Sequence, residues 1–310
     1  MNKIPVGATI VRAYGFAFGN IVGNLGAIWI PAAILCALTY LFYQQYMRAT
    51  LDLMTREPQS MLEGLRFLLA ACAVAFVLLT AQIAALTREA LGLRTGNAFL
   101  QFPFGAAAWR LMATYLLYFV VMIVIYIGCV LVGAVGSGIV AVVGTQLGTA
   151  GRILTGAVAI AFMIAVCCAL IYIAVRLSFL MAPVAVAEQR VSLIRAWQLG
   201  QGNFWRMFAV FLSVLLPLLV LEFAILYFVY GSAMLPPLHA TPDQLEAFAR
   251  HQQETSRQMM LMSQKFWYIV YPGGLVAGLI IYGLISGASA FAYRALVPAT
   301  ADAERAELIA

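Results

Sequence analysis

Ser192-Leu193-Ile194-Arg195-Ala196-Trp197, followed by Gly202-Asn203, leads directly into an apolar run from Met207 to Tyr230. The same pattern stands near the start of the chain. There Thr9-Ile10-Val11-Arg12-Ala13-Tyr14, followed by Gly19-Asn20, leads into the run from Ile21 to Tyr43. A short amphiphilic segment joined twice to a membrane-length run indicates a duplicated membrane unit, and an internal repeat sets the frame for the rest of the chain.

The runs outside the two copies extend this reading. The chain has 310 residues, of which 64% are hydrophobic and 10% charged. A soluble domain carries about 25% charged residues, so a soluble fold of this size could not cover so much apolar surface. A helix needs about 20 apolar residues to cross the hydrocarbon core. Beside the two runs already named, suitable stretches lie near Leu65 to Thr87, Leu111 to Val132, Ile153 to Val175 and Phe266 to Ala292. None alternates polar and apolar residues as a barrel strand would, which points to six helices. The expected architecture is an all-α integral membrane protein. The 18 Lys and Arg divide 11 to 7 in favour of the side holding both termini, which places that side in the cytoplasm. The net charge of +6 is scattered, with no basic stripe of the kind that binds nucleic acid. The start of the chain does not read as a signal peptide, since Gly7, Arg12, Gly15 and Gly19 interrupt any apolar core.

On a helical wheel, Leu193, Trp197 and Phe204 share one stripe, with Gly200 beside it and Arg195 and Gln198 opposite. In the first copy Ile10, Tyr14 and Ile21 share the stripe, Ala17 lies beside it and Arg12 faces away. This is the pattern of a helix lying in the membrane interface with an aromatic at headgroup depth. Gly19-Asn20 and Gly202-Asn203 suit a left-handed helix end. A weaker echo, Trp109-Arg110-Leu111-Met112 against Trp205-Arg206-Met207-Phe208, precedes the third run, and Arg88, Arg176 and Arg294 each close an even-numbered run. The chain therefore reads as one polytopic domain of three parallel hairpin units, roughly 6–90, 91–187 and 188–297, each opened by an interfacial helix, with a short tail at 298–310.

One stretch also carries a family likeness. Arg176-Leu177-Ser178-Phe179 through Pro183, Ser192 through Trp197, and Gly202-Asn203-Phe204-Trp205 resemble a signature of a bacterial six-span family. That family includes the membrane domain fused to some glycerophosphodiester phosphodiesterases. The resemblance implies a bacterial inner-membrane protein of poorly defined role. It transfers no catalysis, because the enzyme in those fusions is a separate soluble domain, for which this chain has no room.

Glu222 is the one acid well inside an apolar run, roughly 24 Å along the helix from Arg206 at 1.5 Å per residue. An acid there is costly and marks a candidate intramembrane functional site; Tyr271, Trp267, Ser137, Arg152 and Lys265 are the expected partners. Arg12, Arg88, Arg176, Arg195 and Arg294 are candidate lipid-headgroup contacts, since guanidinium matches phosphate geometry. The glycines between Gly128 and Gly151 suit close helix packing or a re-entrant segment. Thr241-Pro242-Asp243-Gln244 is a capping box opening a polar helix. The histidines, His239 and His251, match no metal-ligand spacing, so no metal and no cofactor are expected. Cys36, Cys72, Cys129, Cys167 and Cys168 all fall in apolar runs and read as small buried hydrophobes.

No catalytic constellation is visible: there is no G-x-S-x-G, no H-E-x-x-H and no P-loop. The expectation is a non-enzymatic protein of the bacterial inner membrane that handles or organises lipid or an envelope partner. Its partners would be membrane lipids and either a second copy or another membrane protein. The alternatives are a small-solute or proton-coupled transporter or channel using Glu222, and a structural subunit of a membrane complex.

Overall fold

A computed structural model describes residues 2–53, 58–93, 104–146, 148–230 and 241–297. Every regular element among them is helical: α1 (Val6–Gly19), α2 (Ile21–Leu53), α3 (Pro58–Ala90), α4 (Ala106–Gln146), α5 (Gly148–Ala187), α6 (Leu193–Leu199), α7 (Phe204–Tyr230), α8 (Pro242–Lys265) and α9 (Trp267–Leu296). Six of these are long and apolar enough to cross a membrane, over Ile21–Phe42, Leu65–Ala90, Ala106–Gly136, Gly156–Ala187, Phe204–Phe228 and Trp267–Leu296. They coincide with the six runs read from the sequence. His239, Arg56, Arg94, Arg305 and the 298–310 tail lie outside the described residues.

The two quoted segments form α1 and α6, but their junctions differ. At the second copy Gly202 adopts the left-handed conformation, with φ of 71°, as the Gly-Asn reading expects. At the first copy no left-handed residue occurs. Asn20 has φ of −121°, and α2 begins at the next residue. The reason is spacing: a single residue separates α1 from α2, so the chain changes direction there without the four-residue turn that Gly202 closes between α6 and α7. A surface helix for the second unit would fall at 94–103, outside the described residues.

α2 packs along α3, and α4 along α5, as two hairpins. The third unit departs from that plan, because α8 separates α7 from α9 and α9 becomes the centre of the bundle. It packs against α1, α2, α3, α5 and α7. Small residues make this possible. A Cβ on Gly283 would lie 3.6 Å from Ala17, and one on Gly287 would lie 3.0 Å from Phe16 Cδ1 and 3.4 Å from Ala13 Cα. Gly283 and Gly287 are four residues apart, so the two open one notch on α9 that admits the backbone of α1. α1 sets Ala13 and Ala17 against that notch, and Thr9 is buried on the same face of the helix.

The buried stripe of α1 is Thr9-Ala13-Ala17, with Ile10 and Tyr14 of the apolar stripe half-buried beside it. Packing against a protein groove selects the smallest face of a helix, whereas a lipid surface selects the bulkiest. The aromatic of each copy has a partner within the bundle. The Tyr14 hydroxyl donates to the Ser213 carbonyl of α7 at 3.2 Å, and Trp197 lies under Arg176.

The cysteine expectation is corrected. Cys72, Cys167 and Cys168 lie on exposed helix faces, and Cys36 and Cys129 are half-exposed. In a bilayer an apolar residue is equally at home against lipid, so apolar context does not imply an interior position. The glycine-rich stretch is not re-entrant where it is described: α4 runs unbroken to Gln146, and an added Cβ would touch a neighbour at Gly133 (3.1 Å from Phe162) but at none of Gly128, Gly136 and Gly138. At α8 the capping box forms as read, with the Gln244 N–H donating to Thr241 Oγ1 and the Thr241 N–H to Gln244 Oε1 at 3.0 Å.

Candidate functional site

The expected functional residues separate into two groups by depth. Glu222 lies in the half of α7 remote from the termini. The inner half of that helix is anchored by buried Met207, Val210 and Val214, whereas Glu222 and its neighbours Leu221 and Phe223 are all exposed. Among the described residues Glu222 makes no hydrogen bond or ion pair, and the side chains of Ser137, Arg152 and Tyr271 lie outside the described set. Glu222 therefore faces the surroundings of the bundle.

The arginines gather at the end that holds the termini, where the helices are packed most tightly. The structure gives them unequal roles. Arg195 Nε donates to Glu188 Oε1 at 3.1 Å, and Arg190 reaches Glu188 Oε2 at 2.5 Å. The Tyr293 hydroxyl of α9 donates to the same Oε1 at 3.3 Å. Glu188 is thus a buried tie between α5, α6 and α9, its side chain only 1% exposed. Burial pushes its carboxyl up; the hydrogen bond and charge of Arg195, with the charge of Arg190, outweigh that and hold it below the ordinary carboxylate range. Sequence reading had not singled out Glu188. The pairing spans seven residues across a non-helical bend, where Gln189 has φ of 53°, so no helical spacing announces it.

Arg294 is also committed to the protein. It donates to the Leu91 carbonyl at the end of α3, beside left-handed Gly92. Arg206 donates to the Ile4 carbonyl at 3.0 Å. Asn203 completes this N-terminal clip: its Oδ1 accepts from the Ile4 N–H at 3.2 Å, and its Nδ2 donates to the Asn2 carbonyl at 3.1 Å. An Asn at the start of a helix ordinarily caps it. Here the side chain instead fastens the N-terminal segment. Asn20, the matching residue of the first copy, makes a weaker exposed contact with Glu89 at 3.4 Å.

Arg12 is exposed on the outer face of α1 beside Val11 and Phe18, and Arg88 is half-buried. Neither makes an ion pair among the described residues. Arg176 is different again. Its guanidinium stacks on the Trp197 ring at 3.7 Å and lies 5.7 Å from the Tyr172 ring. Nη1 donates to the Tyr172 hydroxyl at 2.5 Å, and Nε is enclosed with no acceptor. Phe204 packs on Tyr172 at 4.6 Å, and Trp205 beyond it is 76% exposed. No carboxylate neutralises this cation among the described residues. The arrangement is an aromatic-backed guanidinium with unmet donors, opening beside exposed apolar side chains. No group of three or more potential metal ligands occurs among the described residues.

The fold and this site define a class: a multi-pass, all-helical membrane protein with an arginine-rich end. In comparison with known proteins, the chain matches no protein-family model, no curated protein and no solved structure.

Proposed function

We propose that this chain is a non-enzymatic protein of the bacterial inner membrane, with both termini cytoplasmic, that handles or organises phospholipid at the seam of α5, α6 and α7. The observation that carries the reading is Arg176. Its flat face is occupied by Trp197 and one N–H by Tyr172, while enclosed Nε has no acceptor and no carboxylate pairs with the cation among the described residues. A phosphate is the natural complement of such an edge, because it accepts charge-assisted hydrogen bonds from guanidinium in a planar geometry. Exposed Trp205, in contact with the Phe204 that packs on Tyr172, suits the boundary between headgroups and acyl chains. Arg12 on the outer face of α1 supplies a second cation at the same end. The six-span family resemblance is consistent with this role.

Native mass spectrometry of the purified protein tests the reading. Retained phospholipid is expected on the unaltered chain. Arg176→Gln should lose most of it, and Arg195→Gln should keep it, since Arg195 is already paired with Glu188. Equal lipid retention in both variants overturns the assignment.

A further inference from the structure

Among the described residues α8 is the long helix that no apolar span includes. Beyond its junction with α9, to which the single residue Phe266 joins it, it lies along no other helix. Its sequence is nevertheless ordered around its axis. Leu245, Phe248, Gln252, Thr255, Met259 and Met262 follow one another at alternating steps of three and four residues. That is the a and d spacing of a coiled coil, held over three heptads. On a helical wheel they share an arc of about 100°. Asp243, Glu246, Arg250, Glu254 and Arg257 share an arc of about 80° on the opposite side, all at b, c or f positions. Polar partners along that outer face meet some of these charges: Arg250 donates to Glu246 at 2.6 Å, and Gln258 donates to Glu254 at 3.2 Å. On the seam, Leu245 is 47% and Met262 56% exposed, and Gln252 is exposed as well.

The middle of the seam selects what covers it. Gln252 and Thr255 interrupt the apolar line, and acyl chains laid there would leave an amide and a hydroxyl without partners. A second copy would meet both. Two copies in one membrane share an orientation, so their α8 helices run toward their spans in the same sense and pair in parallel, a against a and d against d. Gln252 then faces its own counterpart. An amide carries both donor and acceptor, and so does a hydroxyl, so each complements itself. The flanks allow the same pairing. The e positions hold Ala249, Ser256 and Ser263, and the g positions Gln244, His251 and Gln258, so identical helices bring no carboxylates or permanent cations together there. Lys265, at the membrane end, is the one permanent cation on a flank, and it lies 5.5 Å from its own Phe266 ring. A foreign helix is ordinarily selected by e and g charges, which this seam otherwise lacks.

We propose that α8 is a dimerisation helix, which pairs in parallel with α8 of a second copy of this chain through Leu245, Phe248, Gln252, Thr255, Met259 and Met262. Three heptads with a polar middle layer are short for a coiled coil in water. Joining each helix to a membrane span confines both to one layer and raises their effective concentration, as a tether does. The polar layer costs stability and fixes the register. The pairing does not rest on the lipid reading at Arg176.

Disulfide trapping in membranes tests it, using the full chain with its five native cysteines replaced by Ala. Leu245→Cys, Gln252→Cys and Met259→Cys should each give a covalent dimer on mild oxidation. Asp243→Cys, Arg250→Cys and Arg257→Cys, on the outer face, should give little. Equal yields on both faces mean random collision and overturn the proposal. So does the lack of a dimer at every seam position, whether the seam residues prove to be shielded by lipid or trapped against a different protein. Native mass spectrometry of the chain with its cysteines intact gives a second readout. The unaltered chain and Arg257→Gln should be dimeric, and Gln252→Lys, which sets two cations face to face in the seam, should lose most of the dimer. A monomeric unaltered chain, or a dimer that Gln252→Lys leaves unchanged, refutes the pairing.

Discussion

Asn203→Ala should free the N-terminal segment from the start of α7 while leaving the six long helices in place. Two hydrogen bonds to the N-terminal segment are lost, from Ile4 N–H at 3.2 Å and to the Asn2 carbonyl at 3.1 Å, beside a longer local one to the Gln201 carbonyl at 3.4 Å. Asn203 is 2% exposed and Ile4 0%, so the bond between them lies out of water, while the one to exposed Asn2 is partly buried. Each contributes about 0.5–1.5 kcal/mol net, and stranding the Ile4 N–H adds about 1–3 kcal/mol. Arg206 still holds the Ile4 carbonyl at 3.0 Å, which limits the total to about 2–4 kcal/mol. Hydrogen exchange measures this local opening directly. At about 1.4 kcal/mol per tenfold, amides of residues 4–10 should exchange roughly 30- to 700-fold faster than in the unaltered chain. Asn20→Ala is the matched control, since its exposed 3.4 Å contact with Glu89 predicts a change of less than about threefold. Exchange rates in Asn203→Ala within threefold of the unaltered chain would refute the view that this side chain fastens the N-terminus.

Glu188→Gln should cost about 1–2 kcal/mol at neutral pH, discounted because Arg190 is 52% and Arg195 30% exposed. Because the folded carboxyl is held below its ordinary range, its contribution is complete above the unfolded value and fades as pH falls through the lowered one. Thermal denaturation from pH 7 downward should therefore show the gap between unaltered chain and variant constant to about pH 5 and closing below about pH 4. Gly287→Leu should displace α1 from α9, because even a Cβ would sit 3.4 Å from the Ala13 backbone. Overpacking of this kind costs about 1–3 kcal/mol, and it should appear as faster exchange in α1 with α4 and α5 unaffected.

The six membrane-length helices and the short helices α1 and α6 were legible because they depend on local signals. Length and apolarity mark a span, and Thr241 through Gln244 mark a helix start whatever the helix later touches. The arginines illustrate where that legibility stopped. Arg12, Arg88, Arg176, Arg195 and Arg294 read alike in sequence, as cations closing or preceding an apolar run. In the structure Arg195 is paired with Glu188 and Arg294 with the Leu91 carbonyl, while Arg176 rests on Trp197 with donors to spare. Those differences arise from residues on other helices.

By itself, then, the amino-acid order determined which stretches are long and apolar enough to cross a membrane, how many there are, and where two amphiphilic segments precede one. These follow from the free energy of placing each stretch in lipid or water, which adds up residue by residue. Which face of each helix meets protein was decided by the tertiary structure alone. In hydrocarbon surroundings an apolar side chain gains little by choosing the interior, so exposed Cys167 and buried Val184 look the same in sequence. Shape settles the choice instead: the notch at Gly283 and Gly287 receives the small face of α1, and that docking makes α9 the centre of the bundle.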